Sequence, residues 1–139
     1  MTTAKDIMHT AAECIGEHET LDTAAKRMRE LGVGALPICG DDDRLRGIVT
    51  DRDIVIKCVG AGHDPRTMAA SDLAQGKPRT VTTDAGVEDV LALMEEHQIR
   101  RLPVIENHRF VGMISEADLA RHLPAEAVGR CVAAICAQS

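Results

Sequence analysis

Apolar and polar positions along this chain follow one order of periodicities, and that order occurs twice. Residues 21–31 carry apolar side chains at helical spacing, and Thr20 before them is a suitable N-cap. Two short apolar runs, over 35–39 and 45–49, are predicted to be strands. Thr50 follows the second run and is predicted to cap another helix.

The second half of the chain repeats this order. Its predicted elements are an extended segment over 80–82, a helix over 87–97, strands over 102–105 and 110–114, and a helix that begins after Ser115. In the first half the matching extended segment spans residues 12–16. Each half therefore reads β-α-β-β-α, which predicts an α/β (α+β) fold of two repeats. One such unit leaves a sheet face bare, and two copies can cover that face for each other.

The match between the halves extends to individual residues. Pro37 and Pro103 are 66 residues apart, and so are Met28 and Met94. The sequence GIVTDRD at 47–53 is matched by GMISEAD at 112–118, so an apolar run ends in a hydroxyl residue and a carboxylate follows three positions later. A duplication of this length decides the architecture.

The segment GAGHDP is the clearest linker, because two glycines and a proline within six residues do not continue a helix. We place the first repeat at residues 1–62, the second at 63–123, and a C-terminal helix and tail at 124–139. In that last segment Val128, Cys131, Val132 and Ile135 form a helical stripe. The stripe suits a helix packed on the body or on a second subunit, and the pattern does not choose between them.

Composition narrows the classes of partner. The chain has one Phe, no Tyr and no Trp, so a site for a flat ligand must use aliphatic side chains or arginine planes. A net charge of −6 argues against a nucleic-acid partner. No stretch has the length of a membrane span, and the N-terminus lacks the apolar segment of a signal peptide. We therefore predict a soluble, cytoplasmic protein without a membrane partner.

The repeated unit, its Leu-Pro-[Ile/Val] strand and its Gly-h-h-[Thr/Ser]-x-x-Asp junction, where h is any apolar residue, resemble the CBS domain, named after cystathionine β-synthase. The resemblance covers the chain from about Ala4 to Leu123 and includes both copies. Short free-standing CBS pairs of actinobacteria, including those called hypoxic response proteins, are especially similar. That similarity is carried by residues 6–8, 40–43 and 50–55.

The resemblance implies a regulatory module. In the CBS family, two repeats pack about a pseudo-two-fold axis, clefts between them often bind adenosine nucleotides or related adenosyl ligands, and the pairs commonly form flat dimers. It therefore implies a homodimer that requires no cofactor, is regulated by AMP, ADP, ATP, NAD or S-adenosylmethionine, and acts on a separate protein partner. We do not expect the protein to be an enzyme, because the sequence has no paired nucleophile and base, no P-loop and no HExxH motif.

The two junctions are the candidate ligand site. A strand that ends at a helix N-terminus presents unpaired N–H groups and a positive dipole end, which favour a phosphate. Thr50 and Ser115 add hydroxyls there, and the carboxylates of Asp53 and Asp118 suit the hydroxyls of a ribose. By resemblance these four residues map onto the family's ligand motif. The alternative is a capping box, in which the same residues only satisfy their own helix.

The copies differ in ways that favour the first junction. Arg52 lies within it and offers a positive charge for a phosphate, whereas Ala117 holds that place in the second. The second repeat also has Gly86 where the first has Thr20, so its first helix is capped less well. If only one junction binds a ligand, we expect it to be the first.

Cys14 and Cys39 lie on predicted strands that are neighbours in a CBS arrangement. A disulfide between them would cross-link about 25 residues and contribute roughly 3 kcal/mol, whereas a reducing cytoplasm would leave two buried thiols. The other three cysteines are expected in the core, and no metal site is predicted from the scattered histidines.

Two functions other than adenosyl binding stay open. One is a ligand-free dimeric scaffold for interactions or stress responses, and the other is a redox or metal switch that acts through cysteine.

Overall fold

The computed structural model describes residues 1–10, 13–74 and 76–137. It divides into two compact units. The first-repeat unit comprises Ala11–Pro78 with His108–Phe110, and the second-repeat unit comprises Met1–Thr10, Arg79–Asn107 and Val111–Ser139. The repeat boundaries proposed above, 1–62, 63–123 and 124–139, stay a prediction.

The first-repeat unit contains one three-stranded sheet in the order β1-β2-β3. Strand β1 runs parallel to β2, and β2 runs antiparallel to β3. The elements are β1 (Ile15–Gly16), α2 (Leu21–Leu31), β2 (Ala35–Cys39), β3 (Leu45–Thr50), α3 (Asp51–Asp53) with its π-helical continuation (Ile54–Val59), and a 3-10 helix (Ala70–Leu73). Thr20 caps α2 through its side chain, and Gly32 ends the helix in the left-handed conformation at φ 67°.

The second-repeat unit has the same plan, with a sheet in the order β4-β5-β6. Its elements are α1 (Ala4–Ile7), β4 (Val81–Thr82), α4 (Val87–His97), β5 (Arg101–Glu106), β6 (Arg109–Ser115), α5 (Glu116–His122) and α6 (Ala125–Cys136). The predicted α/β (α+β) class and the β-α-β-β-α order of each repeat are therefore confirmed.

A short helical segment from outside the β-α-β-β-α order completes each unit. In the second-repeat unit α1 is followed by an antiparallel bridge between His9 and Met113. In the first-repeat unit the 3-10 helix follows a bridge between Thr20 and Ala69. Each of these two helical segments is only four residues long.

Aliphatic side chains fill the core of each unit. Leu36 and Ile38 are fully buried in the first-repeat unit, as is Val104 in the second. Cys131 and Ile135 of α6 join the core that contains Met94 of α4. Helix α6 therefore packs on its own unit, which resolves the alternative that the sequence left open. Among the described residues, every helix is too short or too polar to cross a bilayer.

The predicted extended segments prove shorter than expected. Only Ile15–Gly16 of the segment over 12–16 is a strand, and Ala12 lies outside the described residues. The segment over 80–82 is reduced to Val81–Thr82. Each of these strands pairs in parallel with β2 or β5 over two residues.

Candidate ligand site at the strand-to-helix junctions

The first junction is formed where β3 ends and α3 begins. Thr50 keeps an extended backbone, with φ −115° and ψ 159°, and so leaves the strand without entering the helix. Its Oγ1 accepts a hydrogen bond from the Asp53 N–H at 3.0 Å, and Asp53 Oδ2 accepts one from the Thr50 N–H at 3.3 Å. The motif therefore folds as a reciprocal capping box.

Two polar groups of this junction, one on Asp53 and one on Thr50, can form hydrogen bonds beyond those of the capping box. Among the described residues, the partner of Asp53 Oδ1 is the Lys57 ammonium at 3.3 Å, and the Lys57 side chain is 40% exposed. The Asp53 side chain is itself 22% exposed. Within the described part of the chain, no acceptor is recorded for the Thr50 hydroxyl proton. The junction thus offers one hydroxyl donor and one accessible carboxylate oxygen.

The expectation of unpaired backbone N–H groups at the first junction is wrong. The Asp51 N–H donates to the Gly34 carbonyl at 2.9 Å, and the Arg52 N–H donates to Asp51 Oδ1 at 2.8 Å. The Thr50 and Asp53 N–H groups are used by the capping box. A phosphate at this point would therefore meet side chains rather than free backbone donors.

The second junction has the same cap in a closed environment. Ser115 is also extended, and its Oγ accepts from the Asp118 N–H at 3.4 Å. Asp118 Oδ2 accepts from the Ser115 N–H at 2.8 Å and from the Ser115 hydroxyl at 2.9 Å. Arg121 donates to Asp118 Oδ1 at 3.2 Å, and the whole Asp118 residue is only 2% exposed. Both carboxylate oxygens are therefore engaged by the protein.

His9 also contacts the Asp118 carboxylate at the second junction. It was not identified as a site residue from the sequence. Its Nδ1 lies 2.6 Å from Asp118 Oδ2, within hydrogen-bonding distance. The antiparallel bridge to Met113 holds the His9 backbone beside β6. The sequence contains one indication that this position distinguishes the two junctions. The repeat offset of 66 residues aligns His9 with Gln75, so the two repeats have different residues here. Gln75 lies outside the described residues.

Arg52 and its neighbours form an exposed surface after the first junction. An open depression of about 330 Å³ is lined by Asp51, Arg52, Val55 and Ile56. Val55, Ile56 and Val59 are 61%, 50% and 56% exposed. We call these three residues the apolar face of the π-helix. No carboxylate pairs with the Arg52 guanidinium in the part of the chain that the structure describes.

Among the described residues of the second-repeat unit, two groups have a shifted pKa. Burial, together with the carboxylates of Glu95 and Glu116, raises the pKa of the Cys131 thiol to about 11, so it stays protonated near neutral pH. The Thr3 backbone N–H and hydroxyl lower the pKa of the exposed Asp6 carboxyl in the capping box of α1. Neither group lies at a junction.

Cys14 and Cys39 are joined by a disulfide, with their Cα atoms 5.6 Å apart. The bond connects the chain just before β1 to the last residue of β2. Cys58 and Cys131 are fully buried, as expected of small core residues, whereas Cys136, for which the same was expected, is only partly buried near the end of α6. Within residues 1–10, 13–74 and 76–137, no three side chains among His, Cys, Asp and Glu are grouped so as to hold a metal ion.

Comparison with known proteins identifies the family to which the two repeats are similar. Residues 4–60 and 70–125 each match the family model described as CBS domain. Hypoxic response protein 1 of Mycobacterium tuberculosis is 57% identical over 136 residues, which cover 98% of this chain and 95% of that protein.

Solved structures give the same result. A crystal structure of Hypoxic Response Protein I with two coordinated zinc ions matches with a TM-score of 0.80 at 58% identity, over 88% of this chain and 100% of that one. A hexameric CBS-CP12 protein from bloom-forming cyanobacteria matches with a TM-score of 0.77 at 32% identity, over 88% of this chain and 71% of that one.

Proposed function

Because this chain belongs to the CBS-domain family, we propose that it is a regulatory module that binds an adenosyl ligand at the Thr50–Asp53 junction. Binding changes how the chain acts on a separate protein partner, and the module itself performs no catalysis. The candidate ligands are AMP, ADP, ATP, NAD and S-adenosylmethionine. The cytoplasmic location expected from the sequence is part of this proposal.

The observation that carries the proposal is the accessible oxygen of Asp53. A ribose presents two neighbouring hydroxyl donors, and a carboxylate with a free lone pair accepts from them more strongly than a neutral group does. In the part of the chain that the structure describes, a ligand at Asp53 Oδ1 has only the partly exposed Lys57 to displace, whereas both oxygens of Asp118 are buried and engaged. We therefore assign Ser115 and Asp118 to the fold and the first junction to the ligand.

Three side chains of the first junction have complementary roles in this proposal. Asp53 accepts from the ribose, the Thr50 hydroxyl donates to a phosphate or sugar oxygen, and Arg52 supplies positive charge for a phosphate. Lys57 is held near Asp53 and adds a second cation. For S-adenosylmethionine, which lacks a phosphate, Asp53 is the principal contact.

Calorimetric titration of the full chain with each of the five candidates tests the proposal. We expect at least one to bind with one site per chain and Asp53→Asn to weaken it by about tenfold, the size of a lost charge-assisted hydrogen bond. Asp72→Asn is the matched control, because Asp72 Oδ2 only accepts from the Ala69 N–H in the same unit. No heat and no thermal shift with any candidate at millimolar concentration would overturn the proposal and favour the ligand-free scaffold.

We further propose that the chain forms a homodimer through the apolar face of the π-helix. Val55, Ile56 and Val59 expose half or more of their surface on one short helical segment, which a second copy would cover. The hexameric CBS-CP12 protein shows that a related chain self-associates.

Light scattering of the purified chain measures this association. Val55→Lys and Ile56→Lys together are expected to give a monomer, because a dimer would bury both new charges. Leu31→Lys is the control, since Leu31 is an exposed apolar residue on α2. A wild-type monomer at 100 micromolar, or equal effects of the two changes, would rule out this interface.

A further inference from the structure

We propose that the Cys14–Cys39 disulfide is a thiol-exchange site, attacked at Cys14 Sγ and selective for thiols without a net negative charge. This inference is independent of adenosyl binding. It rests on the unequal burial of the two sulfurs and on the charges of the cavity beside Cys14.

The two half-cystines differ in access. Cys39 ends β2, the central strand of its sheet, and is 3% exposed. Cys14 precedes the edge strand β1, is only partly buried, and lines an open surface cavity of about 430 Å³. An incoming thiolate therefore reaches Cys14 Sγ from the cavity, and Cys39 is the leaving sulfur.

The cavity has an acidic lining. The lining contains the carboxylates of Glu17, Glu19 and Asp41, together with the Arg27 guanidinium and the His18 ring. The Glu17 carboxylate is paired with Arg46, whose Nε lies 3.6 Å from Glu17 Oε2, which leaves Glu19 and Asp41 as the carboxylates that set the charge of the cavity. Arg27 is also partly neutralised by Glu13, whose carboxylate lies 3.8 Å away. An attacking thiolate is itself negative, so every further negative charge on the reagent adds repulsion.

The exchange balances with a thiol as its only co-reactant. A thiolate RS⁻ bonds to Cys14 Sγ, the Cys14–Cys39 bond breaks, and the Cys39 thiolate takes a proton from water. A second thiolate then attacks the mixed disulfide, which releases RSSR and leaves the Cys14 thiolate to be protonated. The protein disulfide is reduced by two electrons and two thiols are oxidised. Attack on RSSR by the two protein thiols reverses the sequence.

The first experiment measures reduction rates with cysteamine, 2-mercaptoethanol and 3-mercaptopropionate, which differ in charge. Rates are expressed per thiolate and divided by the rates for oxidised dithiothreitol, a neutral reference disulfide. We expect cysteamine to exceed 3-mercaptopropionate by about tenfold in 10 mM salt and by about twofold in 0.5 M salt. Asp41→Asn should reduce the ratio, whereas Asp84→Asn, in the other unit, should not.

The second experiment locates the attacked sulfur. In Cys39→Ser the remaining Cys14 thiol should react with iodoacetamide at least about tenfold faster than the Cys39 thiol of Cys14→Ser, as measured by peptide mass mapping. Several results would overturn the inference: an intact mass that does not change on reduction, equal normalised rates for all three thiols, a rate independent of thiol concentration, or a mixed disulfide on Cys39.

Discussion

The two strand-to-helix junctions have the same motif and the same capping box, yet they leave different chemistry at the surface. At the first, one oxygen of Asp53 is paired, among the residues that the structure describes, only with the partly exposed Lys57. At the second, Asp118 is buried and His9 occupies the oxygen that also holds Ser115. A segment distant in sequence thus decides whether a capping carboxylate is available to a ligand or committed to the fold.

The largest difference between the junctions should appear in Asp118→Ala. This change removes a buried carboxylate that accepts from the Ser115 N–H and contacts the partly exposed His9, whereas Arg121, whose side chain is 67% exposed, can turn to water. We expect a loss of about 3 kcal/mol in the free energy of unfolding, measured by urea denaturation. A loss below about 1 kcal/mol, the value of a simple cap, would show that burial adds nothing at this junction.

His9→Ala should have the next largest effect. The change removes the closest hydrogen-bonding partner of Asp118 but leaves the capping box in place, so we expect a loss of about 1 to 2 kcal/mol. His18→Ala is the control, because the His18 side chain is 77% exposed, and it should change stability by less than about 0.5 kcal/mol. Equal losses in the free energy of unfolding for the two variants would show that the His9 contact does not stabilise the second junction.

Asp53→Ala should cost less stability than either change. Asp53 gives its helix a partly exposed cap, so we expect a loss of about 1 kcal/mol. Lys57→Ala separates the cap from the exposed ion pair and should cost less than about 0.5 kcal/mol. If Asp53→Ala lowered the free energy of unfolding as much as Asp118→Ala does, the two junctions would contribute equally to stability, which would contradict this comparison.

Asp6 lies in the exposed capping box of α1. It adds an exposed carboxylate to the comparison of the buried Asp118 with the partly exposed Asp53. Its pKa is lowered from 3.8 by the backbone N–H of Thr3, so its contribution is present above pH 3.8 and is lost as the pH falls through the lower folded value. The small stability difference between wild type and Asp6→Asn should therefore shrink below pH 3.8. A difference that stays constant from pH 6 to pH 3 would contradict this assignment.

Local signals in the sequence were sufficient for most of the fold. Thr20, Thr50 and Ser115 each cap the helix that follows them, because an N-cap depends on residues within one turn. The predicted bounds of the helix over 87–97 match α4. The π-helical continuation of α3 was not predicted, since its apolar residues also suit an α-helix.

The candidate site was less predictable than the fold. The motif placed Thr50, Asp53, Ser115 and Asp118 at the two junctions, but a capping box and a ligand site require the same residue types at the same spacing. The His9 contact depends on a tertiary pairing with β6, more than 100 residues away. No local pattern around His9 carries that information.

The most direct test of this difference is an amide NMR titration of the full chain with AMP, ATP and S-adenosylmethionine in turn. If the first junction is the ligand site, the amide signals of Thr50, Arg52 and Asp53 shift with a common saturation curve, while those of Ser115 and Asp118 stay in place. Shifts of equal or greater size at Ser115 and Asp118, or none at Thr50 and Asp53 with any of the three ligands, would contradict the account.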